Sequence, residues 1–438
     1  MDYIVLAIPF FFLLIGIEWT LAVITRRRLY RLNDSVNDLS MGIIDQVGGA
    51  FLGALTFAGY LYLWQNWRLF DMGAASVWDL TGIPLWVWIS CFIVKDFAYY
   101  WAHRLSHEMN IGWATHIAHH QSEEFNLSVA LRQGVFQGFF FNIFYLPLAL
   151  LGFPPAVYVT CSAFNTLYQF WIHTRLIGKL GPIEWIMNTP SHHRVHHGRD
   201  PKYIDRNHAG VFIIWDRLFG TFQEEEEEPN YGLVSPLQSW NPIWGQVHYL
   251  ARIARLAWQA PKWSDKIKAF YKAPAWHPEG MAPEGMSSQE KWEAGIYRKY
   301  HVSIPRGLKN YVLLHFAPML FLVTGFLQAE AAMTPAWRAI SAALIFWALL
   351  NLGGILELRR WITWAEPLRL IVMASLLGAQ GGAVFGWPQL AGPWFVAAQP
   401  VFAVVSLAWL LAYRKRFTVR TPLPWSSAPE MARNSAEA

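Results

Sequence analysis

The chain has 438 residues, 54% of them hydrophobic and only 15% charged, and it carries 25 Trp. A soluble globular domain carries about 25% charged residues, so this balance excludes a disordered or extended polar chain and points to a membrane protein. The net charge of +5 is read as an excess of Lys and Arg that sets topology and lipid contact, not as a nucleic-acid surface. Two cysteines, Cys91 and Cys161, both in apolar segments, exclude a disulfide framework and a Cys-type metal site.

Tyr3 to Ile24 is apolar and long enough to cross a bilayer, which takes about 20 helical residues. Asp2 precedes it and the basic run Arg26, Arg27, Arg28 follows it, so it is expected to remain as an anchor, not a cleaved signal, with its N-terminus outside. Further spans are expected from Ile43 to Trp64, Ile83 to Tyr100, Val135 to Leu151 and Pro154 to Trp171. Pro147, Pro154 and Pro155 interrupt the last two, and a re-entrant hairpin is the alternative for that pair. The stretch from Ile172 to Gly307 is polar, rich in His, Trp and Pro, and holds the run Glu224 to Glu228. No span fits there, and it is expected to form a cytoplasmic cap. Four apolar segments follow, Tyr311 to Leu327, Ile340 to Ile355, Leu368 to Phe385 and Trp394 to Ala412.

Threading these spans from an outside N-terminus puts Arg26 to Arg28, Arg359 and Arg360, Arg414 to Arg416 and every histidine cluster on the cytoplasmic side. The expected architecture is an all-α, multi-pass integral membrane protein of about nine hydrophobic helices. Residues 1–307 would form the catalytic region, membrane helices plus cap, and residues 308–438 a C-terminal helical region with a cytoplasmic tail. No internal repeat, nucleotide-binding glycine loop, cytochrome b5 module or flavin module is legible, and no targeting or retention signal names the host membrane.

Of 15 histidines, ten fall between positions 103 and 197. Nine of these form three groups: His103 and His107 in an HxxxH, His116, His119 and His120 in an HxxHH, and His192, His193, His196 and His197, which hold a second HxxHH. Helical residues three and four apart share a face, their Cβ atoms about 5–6 Å apart, so His103 and His107 are expected to point the same way, as are His116, His119 and His120. Neutral imidazole ligates iron, zinc, copper or nickel. Eight such ligands are too many for one ion and suit two, and His173 offers a ninth. The zinc-protease motif needs Glu directly after its first His, where this chain has Arg104. His248, His277, His301 and His315 are read as structural, and His208 is left open.

Iron is favoured over zinc because the groups sit just beyond membrane helices, within reach of lipid chains. Breaking an unreactive C–H bond calls for metal-activated oxygen, not a Lewis acid. Carboxylates should orient the rings or offset the charge. Glu108, Glu123, Glu124, Asp96 and Asp216 are the candidates, with Glu108 foremost because it follows His107.

The run Asp96-Phe-Ala-Tyr-Tyr-Trp-Ala-His103-Arg-Leu-Ser-His107-Glu108 and the run Asn126-Leu-Ser-Val-Ala-Leu-Arg-Gln133 extend the pattern, as does Tyr168-Gln-Phe-Trp-Ile-His173-Thr. So do Asn188-Thr-Pro-Ser-His-His-Arg-Val-His-His-Gly198 and Ile214-Trp-Asp-Arg-Leu-Phe-Gly-Thr221. Over roughly Asp96 to Leu233 the chain resembles the fatty acid hydroxylase and sterol desaturase superfamily, and within it the alkylglycerol monooxygenases. The resemblance implies two iron ions, O2 and tetrahydrobiopterin, and hydroxylation of the carbon beside a glyceryl ether oxygen, after which a hemiacetal splits to a fatty aldehyde and a glycerol derivative. It implies His103, His107, His116, His119, His120, His193, His196 and His197 as ligands, His173 and His192 as close candidates, and Glu108 as the family's catalytic glutamate. It names no residue for the pterin. Two other readings stand beside it: a fatty acyl or sterol hydroxylase or desaturase fed by an external reductant, and a non-catalytic membrane protein braced by zinc.

Overall fold

The computed structural model describes residues 3–281, 288–293, 297–390 and 392–419. Among them there is no strand, only three isolated bridges. The chain divides into two compact units, Met1–Tyr300 with Leu327–Met333, and His301–Phe326 with Thr334–Ala438.

The first unit opens with α1 (Tyr3–Ile24) and α2 (Leu32–Trp67). α1 leaves most of its apolar surface exposed, as a lipid-facing helix does. Its one acidic residue, Glu18, is buried and accepts hydrogen bonds from the Leu127 amide (2.8 Å), Thr174 Oγ1 (2.5 Å) and the Tyr30 hydroxyl. A carboxylate inside an apolar helix is costly unless satisfied in this way. It ties α1 to the residue beside His173. α2 has 36 residues, about 54 Å at 1.5 Å per residue, well beyond the roughly 30 Å of a hydrocarbon core. The surplus is its N-terminal part, where Asn33, Asp34, Asn37, Asp38 and Ser40 are buried under the cap.

α3 (Leu85–Glu108) and α4 (Asn110–His120) are broken by a single extended residue, Met109, at φ −121° and ψ 133°. The break lets the two helices pack against each other, which brings the first and second histidine groups together. The short α5 (Leu127–Ala130) is capped by Asn126, whose side chain accepts from the Ser128 amide. α6 (Gln137–Leu151) packs on α2 and α3, and α7 (Pro155–Trp171) on α3 and α1. Their apolar seam holds Tyr60, Cys91, Phe141, Tyr145 and Tyr158. The cap adds α8 (Pro190–His196), α9 (Ile214–Leu218), α10 (Pro242–Gln259), α11 (Trp263–Tyr271) and α12 (Ser288–Glu293). Trp258 and Trp263, at the α10–α11 junction, are exposed, a placement suited to a membrane–water interface.

The second unit holds most of α13 (Arg306–Ala329), then α14 (Pro335–Leu356), α15 (Ile362–Gln380) and α16 (Pro393–Ala412).

Among the described residues, six helices are long and apolar enough to cross a membrane: α1, α2, α13, α14, α15 with the turn after it, and α16. The other three expected spans are also helical but differ in kind. α3 buries Lys95 and Asp96 at mid-length. α6 and α7 have 15 and 17 residues, about 23 and 26 Å, short of a full crossing.

The run Glu224 to Glu228 is ion-paired residue by residue. Glu224 pairs with Lys179, Glu225 with Arg194, Glu226 and Glu227 with Lys202, and Glu228 with Arg175. Exposed pairs of this kind contribute little each. The pair of Glu225 with Arg194 is mostly buried and two-pronged, at 2.6 Å in both contacts, and it clamps the middle of the third histidine group.

Candidate metal centre

Nine of the ten sequence-predicted ligands converge into two buried groups. His103, His107, His116, His120 and His196 form the first, and His119, His173, His193 and His197 the second, with donor atoms inside each group within 4.8 Å of one another. The second box divides between the groups, although spacing alone predicts one shared face for its three rings. His116 and His120 sit one turn apart and face the first group, while His119 is turned towards the second.

The hydrogen bonds fix the tautomers. Nδ1–H of His103 donates to the His208 carbonyl (2.7 Å), that of His116 to Gln137 Oε1 (2.8 Å), that of His119 to the Arg132 carbonyl (2.7 Å), and that of His173 to the Gln169 carbonyl (2.7 Å). A neutral imidazole that donates from Nδ1 carries a lone pair on Nε2. Yet Nε2 of His103 lies 2.9 Å from Nε2 of His116, and Nε2 of His119 lies 3.2 Å from Nε2 of His173. Two lone pairs at that distance repel unless a cation lies between them. One such pair falls in each group, and Nε2 of His107, His196 and His197 has no protein partner. These donor sets fit two metal ions.

Burial, reinforced by neighbouring imidazoles, holds His103, His116, His120, His193, His196 and His197 well below the ordinary histidine value. Burial brings His119 down to about 4. All are therefore neutral near pH 7, the state that ligates.

Several motif residues act through these rings. Arg132 donates from Nε to the Ala118 carbonyl (2.6 Å) and from Nη1 to Asn37 Oδ1 (2.6 Å) and Asp38 Oδ1 (3.1 Å), so the carbonyl that receives His119 is locked to α2 and α4. Asp96 accepts from the Val211 and Phe212 amides, Trp215 Nε1 and Asn165 Nδ2, at 2.7–3.0 Å. It anchors the loop after the third group, not a ring. Asp216 accepts from the His208 and Ala209 amides, both at 2.8 Å. Glu123 and Glu124 bind the end of the cap, Glu123 through Tyr297 and the Tyr300 amide and Glu124 through Lys299, and Glu124 also pairs with Arg31 at the start of α2.

His192 falls in neither group; its ring packs edge-on against Phe222, centroids 5.5 Å apart. Glu108 is also outside the groups. It is part-exposed and pairs with Arg104 at 2.8 Å. From there hydrogen bonds continue inward: Arg104 Nη1 to the Tyr100 hydroxyl (3.1 Å), Tyr100 to Thr221 (2.9 Å), and Thr221 to Asp216 (2.6 Å). Asp216 in turn holds the backbone whose carbonyl orients His103. The residue left open in sequence, His208, lies against the first group. Its only sequence signal is an isolated His in the cap, with no partner at helical spacing.

Beside the groups is a cavity of about 340 Å³, lined by His107, Trp113, His120, His196, Tyr249 and Arg252 among others.

Similarity to known proteins points to lipid oxidation. The fatty acid hydroxylase family model matches residues 88–221. The chain is 40% identical over 376 residues to alkylglycerol monooxygenase of Homo sapiens, covering 86% of this chain and 82% of that one. To the Xenopus tropicalis protein of the same name it is 38% identical over 375 residues, with the same coverage. A more distant relative is ornithine lipid hydroxylase OlsE of Rhizobium tropici, 30% identical over 131 residues, 30% of this chain and 40% of that one. No solved structure matches.

Proposed function

The chain belongs to the alkylglycerol monooxygenase family, and from that premise we propose that it is a membrane-bound, non-haem diiron oxygenase that cleaves the ether bond of alkylglycerol lipids. The observation that carries the reading is the pair of histidine groups, each with facing Nε2 lone pairs. The ligands are His103, His107, His116, His120 and His196 for one ion and His119, His173, His193 and His197 for the other. Iron held there would supply the activated oxygen that an unreactive C–H bond requires. The reaction hydroxylates the carbon beside the ether oxygen, and the hemiacetal splits to a fatty aldehyde and a glycerol derivative.

The chain's own part is to bind, orient and exclude water. Carbonyls of Arg132, Gln169, Arg206 and His208 keep four ligating rings in one tautomer. The cavity supplies apolar wall from Trp113, Ile117 and Leu233, with Arg199 and Arg252 as its cationic groups. It suits a substrate with an apolar chain and a polar head. Tetrahydrobiopterin as reductant is carried over from the family resemblance. A cytoplasmic site is supported by the basic clusters that flank the spans.

The test is oxygen uptake by iron-loaded, detergent-purified protein given an alkylglycerol, with and without tetrahydrobiopterin. Pterin-dependent uptake that yields fatty aldehyde and is lost in His119→Ala is expected. Uptake only with an acyl lipid or sterol and another donor would move the protein to the hydroxylase or desaturase reading. Bound zinc without uptake on any lipid would overturn the enzymatic reading.

A further inference from the structure

Outside the two groups, one imidazole beside them has both nitrogens unsatisfied. His208 is fully buried, and neither Nδ1 nor Nε2 has a hydrogen-bond partner. Asp216 Oδ1 is 3.8 Å from its Nδ1, beyond hydrogen-bond reach. Leaving a buried polar atom unpaired costs about 1–3 kcal/mol, so a core position with two such atoms calls for an occupant. The His208 ring centroid is 5.2 Å from that of His107, 5.7 Å from His196 and 5.8 Å from His103. Contacting rings of the first group are 4.4–5.3 Å apart, so His208 stands within that range of His107 and just beyond it from His196 and His103. Donor atoms of His208, His107 and Asp205 also lie within 4.8 Å of one another.

The backbone that carries His208 is held in an uncommon shape. Asp205 and Asn207 have φ of +56° and +54°, the left-handed region that non-glycine residues enter rarely and that clusters at functional sites. Asn207 supports it by donating from Nδ2 to the carbonyls of His192 (3.1 Å) and Gln223 (2.7 Å) and accepting the Gln223 amide at Oδ1 (2.8 Å). The same four residues meet three of the first group's rings. The Arg206 carbonyl accepts Nδ1–H of His196 (3.0 Å), the His208 carbonyl accepts that of His103 (2.7 Å), and Asp205 Oδ1 is 3.5 Å from Nδ1 of His107.

We infer that the loop from Asp205 to His208 is the element that fixes the first metal ion, and that the His208 ring gives this ion a sixth nitrogen ligand. The inference rests on the dimetal reading of the two groups. It makes Asp216 and Asn207 positioning residues, because they hold the loop and touch no ion.

The test is Co(II) titration of the full-length, metal-free protein in detergent, read by equilibrium dialysis and by the visible ligand-field bands. Wild type should bind two ions. In His208→Phe, which keeps a ring and removes both nitrogens, one of the two affinities should fall at least about tenfold and the bands of that ion should change, while the other ion is unaffected. The metal-free thermal midpoint of this variant should equal or exceed that of wild type, since two unpaired buried nitrogens are gone. Wild type binding fewer than two ions would sink the dimetal reading itself. Two ions in wild type with both affinities unchanged in His208→Phe would overturn the assignment of His208 alone. If His208→Phe does not fold, His208→Gly is titrated with and without added imidazole. Recovery of the lost affinity by imidazole supports the ligand role, and no response overturns it.

Discussion

At the scale of single residues, His103 and His119 each give Nδ1–H to a backbone carbonyl and turn Nε2 towards a neighbouring ring. Nine of the ten rings expected from the sequence come together, but a shared helix face did not decide which group each joins, since His119 and His193 lie in the second while His116, His120 and His196 lie in the first. The acceptors of their Nδ1 protons are mostly backbone carbonyls, and a carbonyl leaves no mark in the residue alphabet. Glu108 shows the same limit, since adjacency to His107 placed it near the rings and the structure places it at the far end of a relay through Arg104, Tyr100, Thr221 and Asp216. If the relay positions His103, Glu108→Gln and Arg104→Ala should each lower kcat more than they raise KM, and the double variant should lose less than the sum of the two. Fully additive losses would mean that Glu108 acts by some route other than Arg104. His119 makes a pH prediction. Its folded value near 4 lies below the ordinary 6.5, so below 6.5 the unfolded chain takes up the proton first. Stability from this group is complete above about 6.5 and drains away as pH falls towards 4. Metal-free protein should therefore show a thermal midpoint that drops over this window, and His119→Phe should flatten part of the drop; an unchanged slope would rule the group out as a contributor.

At the scale of elements, close approach of backbones holds the site together. A Cβ placed on Gly134 would sit 2.1 Å from the Thr115 carbonyl oxygen, and Thr115 immediately precedes His116. The obstacle is backbone, which cannot rotate away as a side chain would. Gly134→Ala should therefore displace α4, weaken metal binding and lower the thermal midpoint, an overpacking cost of about 1–3 kcal/mol or more. Full metal occupancy at the wild-type midpoint would show that α4 adjusts freely. Helix identities followed readily from apolar runs, but lengths and depths did not. α2 reads as a span from Ile43, whereas the helix begins at Leu32, because Asn37 bonds the Trp240 carbonyl and Arg132, and Asp38 bonds Arg132 and Ser128, partners far away in sequence that local composition cannot reveal. The polar residues at the middle of α3 also have distant partners: Lys95 meets Asn165 of α7 at 2.7 Å, and Asp96 meets the loop after the third histidine group. Their meaning lies in contacts 70 or more residues away in sequence.

At the scale of the whole molecule, the C-terminal helices carry no motif that ties them to the chemistry, yet similarity to the human relative covers 86% of the chain, more than residues 1–307 alone can supply. Inside the second unit, Glu366 accepts from Arg369 Nε (2.8 Å) and Nη2 (2.5 Å), the Tyr311 hydroxyl (2.7 Å) and Asn351 Nδ2 (2.8 Å). His315 lies 3.0 Å from Ser406 Oγ and 3.3 Å from Arg369 Nη2. A satisfied buried ion pair contributes little net stability, but removing one partner strands the other charge at a cost of about 3–5 kcal/mol. Glu366→Ala should therefore destabilise the bundle far more than the paired change Glu366→Gln with Arg369→Met, which strands no charge. None of these residues belongs to either histidine group, so the single variant should still bind two metal ions at temperatures where it remains folded. Thermal unfolding followed beside metal content separates the outcomes. Loss of metal before loss of fold would give the C-terminal bundle a direct hold on the metal centre, and coincident loss of both would leave it a scaffold whose polar network specifies how four apolar helices pack.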